Sequence, residues 1–206
     1  MEAIETFEHN GYVVKIYPDE DGESPRSWDN LGTMVCWHRR YNLGDRKPTD
    51  SERAALKRGG FRLLKRYLRR YFGVRHLLEL GLLDHSGLHM WVGGGAHFTD
   101  TAGWDSGTVG WIMATPEGIE LVGTLDQEIE VEVELGCLRG KVKEQRNAIE
   151  HGLYAEVEVY DQYLTGQVYG YVVEDQDGEH LDSCWGFYGI EDVKAEAKQA
   201  ASCLEK

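Results

Sequence analysis

An α+β fold is what this sequence predicts, a single domain over residues 1–206 with a mostly antiparallel sheet and about three helices, on three observations. Short runs alternate apolar and polar residues, as half-buried strands do, and longer stretches repeat at helical spacing. Strands and helices do not alternate regularly, which disfavours a doubly wound parallel sheet. The 206 residues are 41% apolar and include 6 Trp and 11 Tyr, enough to bury a core and too sticky for a disordered acidic chain.

Strand patterns run over Tyr12–Tyr17, Thr33–Trp37, His76–Leu83, Leu88–Val92, Val109–Thr115, Ile129–Leu135 and Val168–Glu174. The first helical pattern is Thr49–Phe72, where Thr49 and Glu52 have capping-box spacing just after Pro48. At 100° per residue Phe61, Leu64, Leu68, Tyr71 and Phe72 fall in one arc. Arg58, Arg62, Lys65, Arg66 and Arg69 fall in the next. Gly59-Gly60 costs about 1 kcal/mol per residue inside a helix and marks a break or a late start. Gly73 is the C-terminal stop. Arg139–His151 or longer reads as helical, Ala155–Tyr160 fits either state, and Ile190–Leu204 repeats Ile190, Val193, Ala197, Ala200, Ala201 and Leu204 at helical spacing. Asp21-Gly22 and Asp177-Gly178 are turn signals, the second in hairpin fashion.

Cys36, Cys137, Cys184 and Cys203 are widely scattered with no Cys-x-x-Cys pair, so all four read as small buried side chains of a reducing compartment. No apolar run reaches the roughly 18 residues of a membrane span, and Met1–Asn10 has charges where a signal peptide has an apolar core. A soluble, non-exported protein is expected.

The net charge of −14 hides an asymmetry. Arg39 to Arg75 carries 13 basic and 3 acidic groups, +10, against −24 in the remainder. The cationic segment at about 49–73 has two readings. One is a phosphate-tracking surface for nucleic acid. The other is a solvated face paired with acids of the same chain or of a second copy. Repulsion from the acidic remainder works against the first. Glu128, Glu130, Glu132 and Glu134 alternate with apolar residues and line one wet strand face. Their spacing of about 6.7 Å is too sparse to imitate DNA, with one charge per about 1.7 Å of axis, unless other acidic rows align beside them.

Residues 83–113 are rich in His, Asp, Ser and Gly. His85 and His89 on one strand would stand about 13 Å apart, too far to share an ion, so only a folded-back Gly93–Gly95 loop carrying His97, Asp100 or Asp105 would make a metal site. Asp105-Ser106-Gly107 and His85-Ser86-Gly87 hint at a nucleophilic serine but lack a G-x-S-x-G elbow; Asp and Ser before Gly are also ordinary turn residues. Trp104, Trp111 and Trp185 read as core or interface aromatics. Phosphate-loop, dinucleotide and calcium-loop patterns are missing. No metal and no cofactor is expected.

Four stretches resemble an uncharacterised family encoded by bacteriophages, prophages and other mobile elements of bacteria. They are Ser24–Met34 with Trp37–Asp45, Asp84–Gly87, Trp104–Ile112, and Tyr160–Tyr171 with Asp182–Gly189. The family carries Cys-Pro before its Trp-Asp-Ser-Gly; Ala102-Gly103 stand there in this chain, so a thiol role at that point does not carry over. The resemblance implies a phage origin and work in the bacterial host cytoplasm, and it supplies no mechanism. The leading expectation is a non-enzymatic accessory protein whose acidic surface binds a host protein, for example a nucleic-acid-handling or defence complex. The alternative is a small hydrolase or metal-assisted enzyme using Asp84, His85, Asp105, Ser106 and Asp161. The third is nucleic-acid binding through the basic helix.

Overall fold

In chain order the elements are β1 (Glu5–His9), β2 (Tyr12–Pro18), β3 (Gly32–Cys36), α1 (Asp50–Phe72), β4 (Leu77–Asp84), β5 (Leu88–Val92) and β6 (Ser106–Ala114). There follow α2 (Pro116–Val122), β7 (Glu128–Glu134), β8 (Lys141–Asn147), α3 (Ala148–Leu164), β9 (Val168–Glu174), β10 (His180–Tyr188) and α4 (Ile190–Cys203). The structure is a computed structural model that describes residues 2–100, 102–134 and 141–204. Helix and sheet are mixed, with four α-helices among the described residues and every strand pair antiparallel. The chain divides into two compact units, residues 1–27 with 159–206 and residues 28–158, and the boundary falls inside α3.

The smaller unit is a four-stranded sheet in the order β1-β2-β9-β10. Its opening hairpin turns at Asn10 and Gly11, whose positive φ values of 51° and 80° match the Asn-Gly turns that suit strand twist. The turn signal is in the sequence, yet β1 is absent from the expected strands. α4 lays Val193, Ala197 and Ala201 on Val14, Ile16, Tyr171 and Val173. Small residues at that contact bring helix and sheet close.

The larger unit has a second four-stranded sheet, β3-β6-β4-β5, and a separate β7-β8 ribbon. One sheet face packs Val35, Leu77, Trp111 and Met113 against Ala55, Leu64 and Leu68 of α1. The other face is covered by the first half of α3: a Cβ on Gly32 would lie 2.6 Å from Leu153 and 2.7 Å from Ile112. α1 starts and ends as expected, on a Thr49/Glu52 capping box and a left-handed Gly73. It breaks at Gly59 and Gly60, the latter with φ 59° and ψ −158°.

Both sheets use the same device. Gly81 lies opposite Trp91, and Gly170 opposite Trp185, each on the neighbouring strand. The indole covers the glycine so closely that a Cβ at either position would come within 2.2 Å of the ring.

Three expectations are corrected. Residues 141–147 are strand β8, not helix, because each pairs in register with β7, from Lys141 opposite Glu134 to Asn147 opposite Glu128. Helix begins only at Ala148, where the Asn147 side chain accepts the Ile149 N–H at 3.0 Å, and Ala155–Tyr160 is then helical. α2 was not expected; Thr115 caps it, Pro116 opens it and left-handed Gly123 closes it. Of the cysteines Cys36 is buried but Cys184 and Cys203 are exposed, and Cys137, like Leu135 and Arg139, lies outside the described residues. No helix among the described residues is long and apolar enough to cross a membrane.

Candidate functional site

Pairing of β4 with β6 brings two sequence candidates together: the Asp84 N–H donates to the Asp105 carbonyl at 2.8 Å. His85 stands in the β4–β5 turn rather than on β5, as the strand reading had it. The turn is held by its N–H on the Gly87 carbonyl and by Ser86 at φ 58°. His85 Nδ1 meets Asp105 Oδ2 at 2.9 Å on the surface. Asp84 is matched differently, by an ion pair with Arg40 and by His38 Nε2 at 3.5 Å. His38 Nδ1 accepts the N–H groups of Arg40 and Tyr41, both at 3.3 Å, so the neutral ring carries its proton on Nε2, toward Asp84. The Asp84 carboxylate in turn raises the pKa of Arg40.

Ser106 does not have the surroundings of a nucleophile. Its hydroxyl donates to Asp100 Oδ2 at 2.8 Å and accepts the His97 N–H at 2.8 Å, with no imidazole bonded to it among the described residues. Asp100 also accepts the N–H groups of Trp104 and Asp105. The Ser106 hydroxyl, then these amides, hold its carboxyl below the usual range. The pair fastens a loop. Asp161 belongs to the other unit, on α3, where its carbonyl accepts the Thr165 N–H. Asp182, also there, accepts from the Tyr171 hydroxyl at 3.2 Å. Asp84 and Asp105 thus meet within the larger unit, and Asp161 and Asp182 belong to the smaller one. Among the described residues no three His, Cys, Asp or Glu side chains are placed to hold one metal ion.

Beside Asp84 and Asp105 opens a cleft of about 610 Å3, walled by Trp37–Arg40, Lys47, Arg53 and the Trp104–Val109 segment. Arg39, Lys47 and Arg53 are exposed and form no ion pair with a described residue. Three of the sequence stretches singled out above, around Trp37, Asp84 and Trp104, therefore end on one recess. The basic wall was missed among the candidate residues. Its signal is Trp37-His38-Arg39-Arg40, one aromatic beside three nitrogenous side chains. Trp111 is core, whereas Trp104 is 87% exposed and Trp185 46%.

The cationic helix is open. Arg58, Arg62, Lys65, Arg66 and Arg69 are all exposed, and none is ion-paired to a described residue. The Gly59-Gly60 break sets two stripes of α1 around a groove of about 550 Å3, lined by Arg58, Arg66 and Arg70 together with Tyr67 and Tyr71. The acidic row is less open. Glu130 is bridged by Lys143 at 2.7 Å and Glu132 is also partnered, while Glu128 is exposed opposite Asn147. Charge also divides by unit. The smaller carries 5 basic and 17 acidic residues, net −12, and the larger 17 and 19, net −2.

Compared with protein-family models, with curated proteins and with solved structures, the chain matches none.

Proposed function

We propose that this chain is a non-catalytic accessory protein of bacteriophage type, at work in the host cytoplasm, whose larger unit binds nucleic acid through α1. The observation that carries this reading is the set of five exposed cations, Arg58, Arg62, Lys65, Arg66 and Arg69, none of them ion-paired to a described residue. A solvated structural face would be expected to pair with some of the chain's 36 acids. The larger unit, which carries α1, has a net charge of only −2. Arg58, Arg66 and Arg70 gathered around Tyr67 and Tyr71 add guanidinium donors for phosphate and rings for bases.

The test is fluorescence anisotropy with a labelled duplex and its single strand, between about 50 and 200 mM salt. Affinity should fall steeply with salt. The double substitution Arg62→Glu and Arg66→Glu should lower the salt slope by about 2, one per lost phosphate contact. Absence of binding at low salt, or a slope that ignores the substitution, refutes the reading.

A second reading keeps the original expectation of a host-protein partner, and the charge of −12 on the smaller unit favours it. Binding to one defined host protein that survives reversal of Arg62 and Arg66 but is lost on reversal of the exposed Asp177 and Glu179 would support it over the first.

A further inference from the structure

We infer that the cleft beside Asp84 and Asp105 binds a nucleoside phosphate. The inference goes beyond the α1 reading and stands even if that helix binds nothing, because it rests on other residues.

The first argument is charge. Of the two carboxylates on the cleft wall, Asp84 is neutralised by Arg40 and Asp105 is hydrogen-bonded by His85. Arg39, Lys47 and Arg53 form no ion pair with a described residue, so the cations of the cleft outnumber its carboxylates. Arg53 spends only its Nε, donated to the Pro48 carbonyl at 3.1 Å, which orients the guanidinium and leaves its terminal nitrogens for a ligand. Three unmatched cations around one recess ask for an anion with several acceptor oxygens, the chemistry of phosphate.

The second argument is the indole. Trp104 is 87% exposed on the same wall. Leaving so large an apolar side chain in water forgoes about 2 kcal/mol of burial. The ring does not sit on a loose loop: Asp100 accepts the Trp104 N–H at 3.2 Å and the Asp105 N–H at 2.9 Å, and is itself tied to Ser106. A fastened, exposed indole beside cations is a platform on which a base stacks.

Size is the third. About 610 Å3 lies within the range of small-molecule sites and suits one nucleotide. A bare phosphate would leave the indole unused, and a neutral aromatic would leave the cations unmatched. A nucleoside phosphate uses both. It can arrive as a free nucleotide or as the end of a single strand, and the two sources share this chemistry.

The test is titration calorimetry with ADP, with inorganic pyrophosphate and with a 5′-phosphorylated oligothymidylate. Trp104→Ala should weaken ADP by about tenfold or more and leave pyrophosphate unchanged. The double variant Arg39→Ala and Lys47→Ala should weaken both by about tenfold or more. These side chains are exposed and bear no hydrogen bond to a described residue, so thermal melts should match the native chain. ADP binding tighter than the oligonucleotide assigns the free nucleotide. Oligonucleotide binding that is tighter, and that Arg62→Glu with Arg66→Glu leaves sensitive to Trp104→Ala, assigns the strand end. The inference is overturned if neither ADP nor the oligonucleotide binds saturably, or if Trp104→Ala leaves both affinities unchanged. Loss of duplex binding in the α1 variant with ADP affinity intact would separate this site from the α1 surface.

Discussion

Removing the Glu52 carboxylate should cost the larger unit more stability than any other single charge substitution in α1. Glu52 is 2% exposed, and its two oxygens take Arg46 at 2.7 and 2.9 Å, the Thr49 N–H at 2.7 Å and the Thr49 hydroxyl at 2.9 Å. The carboxylate thus closes the capping box of α1 and anchors the loop that carries Lys47 to the cleft. Breaking a buried ion pair costs about 3–5 kcal/mol. Arg46, 35% exposed, regains part of its hydration, so Glu52→Ala should lose about 3 kcal/mol. Glu52→Gln keeps an acceptor for the N-cap and should lose about 1–2 kcal/mol. Burial pushes the Glu52 pKa up, but Arg46 and then Thr49 outweigh it, so the folded value is below the ordinary one. Its stabilisation is therefore complete above the unfolded pKa and lost as pH falls through the folded one. Urea unfolding at neutral and acid pH measures both effects, with an unchanged m-value as the check that only stability moved. The reasoning fails if Glu52→Ala costs under about 1 kcal/mol, or if Glu52→Gln is as acid-sensitive as the native chain.

Gly60 occupies φ 59° and ψ −158°, and a methyl added there would meet nothing within 4 Å, so Gly60→Ala tests backbone strain alone; a loss of about 1–3 kcal/mol in urea is expected, and an unchanged midpoint would contradict it. Gly170→Ala should cost about 1–3 kcal/mol, because the methyl displaces the Trp185 ring, and the tryptophan near-ultraviolet dichroism should change with it; neutrality would show that the ring moves freely. Burial, then Asp182, pushes the Tyr171 hydroxyl up to about 12 from an ordinary 10. The folded state holds that proton longer than the unfolded one, so the smaller unit should lose about 2–3 kcal/mol between about pH 10 and 12, and Tyr171→Phe should flatten that limb of the stability curve.

The features legible in the sequence are those whose physics is local. The Thr49/Glu52 box, the Gly59-Gly60 break and the left-handed stop at Gly73 need no partner outside α1, and each stands where its residues place it. The alternation around Val131 likewise yields a strand with Glu128, Glu130 and Glu132 exposed. β8 was not legible because Lys141–Asn147 is rich in straight-chain residues that suit a helix; only the partner strand, with Lys143 on Glu130, turns them to sheet. In the candidate site Asp105 and Ser106 stand as neighbours in the chain, but their fates diverge. One faces His85 across a turn, and the other is consumed by Asp100.

Composition and periodicity alone determined that this chain mixes antiparallel strands with helices, and that a cationic helix is set in an acidic chain. Those properties follow from residue order within a turn or a strand. Tertiary structure decided the rest: which acids neutralise which bases, that the cations from Arg58 to Arg69 have no ion pair with a described residue, that Asp84 meets Asp105, and that Trp104 is left in water at the rim of a basic cleft. The meeting of Asp84 with Asp105 depends on the pairing of β4 with β6, between residues about twenty positions apart, and no local preference encodes that choice of partner.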